Sequence, residues 1–138
     1  MARIRSVKPA LFGSYNMARV PIEARYLFIG LFCEADDEGY LIDSPKRIAG
    51  AVFPHDDKVT EKRVDGWLNQ LQAVGSILRY ESGGGRYIVL PEWATHQRVS
   101  HALPTTIPLP SVEVLAGFLN GSGAAHECLR PELNGKGN

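Results

Sequence analysis

Three groups of residues have the types and spacing that chemistry asks for. The first is Gly83-Gly84-Gly85-Arg86, glycines beside a cation. A phosphate-binding loop needs G-x-x-x-x-G-K-[ST] leading into a helix whose N-terminus meets the anion. Here a β-rich run, Arg86-Tyr87-Ile88-Val89-Leu90, follows instead, so the glycines read as the tip of a hairpin. The second group holds the metal-ligating and nucleophilic types. His55, His96, His101 and His126 share no zinc spacing, and neither Cys33 nor Cys128 has a C-x-x-C partner. Asp36-Asp37-Glu38-Gly39 and Asp43 lack the alternating oxygen ligands of a calcium loop and fit a helix end followed by a turn. No G-x-S-x-G elbow occurs, and Ser122 stands in a glycine-rich stretch with nothing to hold a base beside it. No metal, no cofactor and no catalytic residue is expected, and the chain reads as a non-enzyme.

The third group is cationic and amide. Lys62, Arg63, Asn69 and Gln70 share one run, Lys46 and Arg47 lie just before it, and Arg79 and Arg86 flank the glycines. Arg3, Arg5 and Lys8 open the chain and Arg98 lies towards its other end. Lysine and arginine neutralise phosphates, while Asn and Gln amides can read base edges. These twelve residues are the expected contacts to double-stranded DNA.

Total charge speaks against that expectation at first, because 15 basic and 15 acidic residues in 138 give a net charge of zero. Its distribution is uneven. Residues 1–25 carry Arg3, Arg5, Lys8, Arg19 and Arg25 against Glu23 alone, whereas residues 26–65 carry nine acids against five bases. A basic arm and an acidic middle are compatible with phosphate contacts on one face; ordinary solvated surface charge explains the same arithmetic.

These side chains need elements to position them. Ala24, Leu27, Phe28, Leu31, Phe32 and Ala35 recur at helical spacing behind Pro21 and predict a buried central helix over 22–35, with a shorter helix around Leu11, Phe12, Tyr15 and Met17 before it. Tyr40-Leu41-Ile42 suffices for a short strand. Ser44-Pro45 starts a second helix, with Ile48, Ala49, Val52 and Phe53 inward, and Pro54 ends it. Thr60 caps a third, in which Val64, Trp67, Leu68, Leu71 and Val74 form one face and Gly75 the stop. Two short helices joined by a tight polar turn make a helix-turn-helix candidate. Ile77-Leu78-Arg79-Tyr80 and the run from Arg86 to Leu90 then form a hairpin around a mobile tip, Glu81 to Gly85.

The order helix, short strand, helix, helix, strand, glycine loop, strand is that of an α+β winged helix with a two- or three-stranded β wing. It divides the chain into a basic arm and short helix over 1–20, a winged-helix domain over 21–98, and a Pro/Gly-rich extension over 99–138. Within that extension Val112, Val114, Leu115, Phe118 and Leu119 suffice for a weak helix, and residues past Gly121 read as linker-like. The longest apolar run, Tyr26 to Cys33, is far short of the roughly 20 residues that span a bilayer. No apolar segment follows the N-terminal charges as in a signal peptide, and two ill-matched cysteines suit a reducing compartment, so a cytoplasmic chain is expected.

Several runs carry a family likeness: Ala2-Arg3-Ile4-Arg5-Ser6-Val7-Lys8-Pro9, Glu23-Ala24-Arg25-Tyr26-Leu27-Phe28-Ile29-Gly30-Leu31, Ala35-Asp36-Asp37-Glu38-Gly39, Phe53-Pro54, Asp56-Asp57 and Pro91-Glu92-Trp93-Ala94-Thr95-His96-Gln97-Arg98-Val99. Over about residues 1–110 the chain resembles the N-terminal winged-helix module of phage and prophage replication-organiser proteins, the DnaD-like group. The resemblance implies DNA binding in replication initiation or its regulation, inside a bacterial host. It also implies self-association through the same module and a host or phage replication protein as a further partner. The alternative is a protein-interaction module, in which the acidic patches Asp36 to Glu38 and Asp56-Asp57 are the working surfaces.

Overall fold

The computed structural model describes residues 2–121; the linker-like stretch expected after Gly121 lies outside the described residues. The fold is mixed α+β, with helices packed on both faces of a small antiparallel sheet.

A single 3-10 turn, Pro9–Leu11, and the short helix α1 (Tyr15–Ala18) lead to α2 (Ile22–Glu34). Arg25 ties α2 to what precedes it, donating from Nε to the Val20 carbonyl and from Nη2 to that of Ala18. Ala24, Leu27, Phe28, Leu31 and Phe32 are buried, as their 3-4 spacing requires of a helix at the centre of a core. Beyond α2 the chain turns sharply. The Asp36 carboxylate accepts from the backbone N–H groups of Glu38 and Tyr40, and Gly39 adopts φ +90°, where a Cβ would also stand 2.7 Å from Trp93 Cγ.

Strand β1 (Tyr40–Ile42) follows, then α3 (Pro45–Val52), whose first turn is capped by Ser44 Oγ accepting from the Arg47 N–H at 3.3 Å. Helix α4 (Glu61–Ala73) is capped in the same way by Thr60 and ends at Gly75, φ +82°, where Ser76 N donates to the Leu71 carbonyl. The connection between these helices, expected as a tight polar turn, spans residues 53–60 and is only partly polar. The Phe53 ring sits 5.3 Å from Tyr26 and 5.5 Å from Trp67, so it serves as a core residue between α2 and α4.

Strands β2 (Leu78–Ser82) and β3 (Gly85–Val89) form a hairpin, and β3 pairs on its other side with β1, giving the order β1-β3-β2. The expected five-residue mobile tip is shorter. Ser82 pairs with Gly85, leaving a two-residue turn at Gly83 and Gly84, both at positive φ as a twisted hairpin demands.

Pleating sorts the sheet. Leu41, Ile77 and Ile88 face α2 and α4 in the main core, whereas Leu78, Tyr80 and Val89 face the other way with Tyr40 and Tyr87. That second face is covered. After α5 (Trp93–His96) the chain crosses through residues 97–111, the Tyr80 hydroxyl donates to the Pro108 carbonyl at 2.7 Å, and α6 (Val112–Gly121) lays Val114, Leu115, Phe118 and Leu119 on the outward side chains. The extension, as far as Gly121, is thus part of the packed body.

Candidate nucleic-acid interface

Helix α4 exposes a stripe of Lys62, Gly66, Asn69, Gln70 and Ala73, spaced to lie on one side of the helix, opposite buried Val64, Leu68 and Leu71. Gly66 leaves it bare at mid-height, since a Cβ there would meet nothing within 4 Å. Lys46 and Arg47, in the first turn of α3, are exposed, as is Arg86 on β3, which stands opposite Glu81 in the register. Arg63 is exposed but committed in part: Nη1 donates to the Lys58 carbonyl at 3.2 Å and the guanidinium lies 5.0 Å from the Trp67 ring.

Arg79 is elsewhere. Directly opposite Ile88 on the sheet, it shares the inward face, and its side chain is 8% exposed. Nε and Nη2 donate to the two carboxylate oxygens of Asp43 at 2.7 and 2.9 Å, Nη2 also to Asp65 Oδ1 at 2.7 Å, and Nη1 to Asn69 Oδ1 at 2.8 Å. The backbone N–H of Arg79 donates to Gln72 Oε1 at 2.6 Å. Burial opposes the charge on Arg79, but the hydrogen bonds and charges of Asp43 and Asp65 outweigh it and raise its pKa above the usual arginine value. Every direction of its planar fork is taken, so the expectation of Arg79 as a phosphate contact on the hairpin is corrected. Its work is to pin β2 to α4 and to the β1–α3 link. Asp43 N donates in turn to the Arg86 carbonyl, so this node joins β3, β2, α3 and α4, the elements bearing Lys46, Arg47, Lys62, Asn69, Gln70 and Arg86.

The N-terminal arm is likewise docked. Arg3 N donates to the Cys33 carbonyl, and the Gln97 side-chain amide accepts at Oε1 from the Ser6 backbone N–H at 2.9 Å and donates from Nε2 to the Ser6 carbonyl at 2.7 Å. Arg5, 6% exposed, donates to the carbonyls of Phe32 and Ala35 and to Asp37, with its guanidinium 4.9 Å from the Trp93 ring. It closes the C-terminal end of α2, where carbonyls collect negative potential, and is removed from the DNA-contact set. Arg3 reaches Asp37 at 3.3 Å and stays partly exposed, whereas Lys8 and Arg98 are exposed but belong to this end of the molecule rather than to the Arg79 node.

The acids expected as alternative working surfaces divide. Asp56 and Asp57 are exposed. Asp36, Asp37 and Glu38 are occupied: Leu103 N donates to Asp37, Thr105 N to Glu38 and Thr105 Oγ1 to Asp36, so one turn fastens both the arm and the 97–111 segment. The Leu103 N–H, then Arg5 and Arg3, hold the Asp37 carboxyl below the usual range despite its desolvation.

Sequence reasoning missed Asp43, Asp65, Gln72 and Gln97. The first three were detectable through Arg79, whose parity with Ile77 turns it inward; Gln97 carried no signal. Among the described residues no group of three or more His, Cys, Asp or Glu could hold a metal ion, and no helix is long and apolar enough to cross a membrane. A scan against protein-family models, a search of curated proteins and a search of solved structures return no match.

Proposed function

We propose that the chain is a winged-helix protein that binds duplex DNA and acts in phage or prophage replication initiation or its regulation, with α4 in the major groove and the β2–β3 hairpin as the wing. The observation that carries the reading is the Arg79 node. It gives the acids Asp43 and Asp65 a shared guanidinium partner beside α4, while Lys46, Arg47, Lys62 and Arg86 stay exposed on the elements it joins, with the exposed acids Glu61 and Glu81 beside them and the Asn69 and Gln70 amides on α4. Cations at the margin for phosphates and amides at the centre for base edges are the division of labour a groove-reading helix needs. The run likeness to replication-organiser modules supports the phage setting.

Fluorescence anisotropy with duplex DNA at 50 and 200 mM salt tests it. Four phosphate contacts, at a slope of about −0.9 per contact, predict an affinity loss of roughly a hundred-fold across that interval. Undetectable binding at the lower salt, or binding indifferent to salt, refutes the reading. A second reading, a protein-association module, is favoured by Phe12 after the 3-10 turn, Tyr15 on α1, and Ile22 and Tyr26 on α2, which are 58–78% exposed. Light scattering on the free chain tests that one: a monomer at high concentration counts against self-association.

A further inference from the structure

Asn69 is the one member of the α4 stripe whose side-chain orientation the fold dictates. Arginine has donors only, so the atom that faces Arg79 Nη1 at 2.8 Å must be the amide oxygen. Arg79 itself cannot turn away, being held on three further sides by Asp43 and Asp65. The Asn69 amide is therefore locked with Oδ1 inward and Nδ2 outward. Among the described residues Nδ2 makes no hydrogen bond, and it projects from an exposed position beside Gln70.

A free asparagine recognises adenine with both ends, Oδ1 accepting from N6 and Nδ2 donating to N7. Here Oδ1 is turned inward onto Arg79, so the end presented outward is the donor Nδ2. Resting on the DNA-binding reading above, we infer that Asn69 is a donor-only specificity residue that selects guanine, the base whose major-groove edge offers two acceptors, N7 and O6. Adenine is disfavoured at that position, because its N6 amine meets the outward Nδ2 donor to donor. Gln70, whose side chain makes no hydrogen bond among the described residues, is the residue left to make a two-ended contact.

Selection from a randomised duplex library with the full chain, repeated with Asn69→Ala, identifies the base position that depends on Asn69. That position is guanine in the wild-type selection, and Asn69→Ala relaxes it alone while weakening the selected duplex roughly 5- to 100-fold. Replacing that guanine by 7-deazaguanine, which lacks the N7 acceptor, weakens the wild-type chain at least about five-fold and leaves Asn69→Ala unchanged. Two results overturn the inference while the DNA reading stands: an Asn69-dependent position that prefers any base other than guanine, or no position that depends on Asn69. Absence of salt-sensitive binding to every duplex overturns the underlying reading and this inference with it.

Discussion

Replacing Arg79 by alanine distinguishes a clamp from a phosphate contact. Asp43, whose side chain is 1% exposed, loses both of its charged hydrogen bonds, of 2.7 and 2.9 Å, and is left without a partner in the interior. Leaving one member of a buried pair without the other costs about 3–5 kcal/mol. Asp65 is 45% exposed and rehydrates, which adds less than about 1 kcal/mol. The expected loss is therefore about 4 kcal/mol, a large part of the roughly 5–15 kcal/mol that holds a domain together. Urea unfolding measures it: at an m-value of about 2 kcal/mol/M the midpoint falls by about 2 M. Adding Asp43→Asn to Arg79→Ala recovers part of the loss, because the orphaned charge is gone, and the cycle gives a coupling of at least about 1 kcal/mol. A loss under about 1 kcal/mol, together with a shallower salt dependence of DNA binding, would show that the guanidinium meets phosphates and that the clamp is misassigned.

Other expectations follow from single contacts. Burial beside Phe28 and Phe32, together with Lys8, lowers the pKa of His96 from its ordinary 6.5, against the opposing pull of Glu92. The unfolded chain then binds the proton more tightly, so stability is full above about pH 6.5 and declines below it; His96→Gln should flatten the change in thermal midpoint between pH 7 and pH 5. Two glycines should respond in opposite directions to alanine. Gly66→Ala, in open space within a helix, should add about 0.5–1 kcal/mol, whereas Gly39→Ala, at φ +90° and against Trp93, should remove at least about 1–2 kcal/mol in the same urea titration. Phe118→Ala, which strips α6 of its buried anchor on Tyr80 and Val89, should cost about 2–4 kcal/mol, and a change below 0.5 kcal/mol would detach α6 from the sheet.

Elements whose signals are local were legible in the sequence. Ser44-Pro45, Thr60 and Gly75 bound their helices because a cap bonds to a backbone group only a few residues away. Side-chain destinations were harder. Arg79 and Arg86 flank the glycine turn alike in the chain, but Arg79 points at α4 while Arg86 stands nearer the turn and is exposed, a difference that depends on where α4 lies. Arg5 resembled a free arm because the carbonyls it meets belong to residues 27 and 30 positions further on. Helix α6 looked weak by composition, with Gly117 inside it. Its stability comes from Leu78, Tyr80 and Val89, which no local pattern connects to it.

The acidic turn after α2 has a consequence for how the molecule opens. Residues 3 to 6 and residues 103 to 107 are far apart in the chain, yet both are fastened to Asp36, Asp37 or Glu38 or to the Gln97 amide. Detaching either segment strips Asp37 of part of its partners and loosens the other. The two segments then open as one cooperative unit, and their amide protons should exchange with deuterium through a shared opening, at a free energy between that of a loose terminus and that of global unfolding.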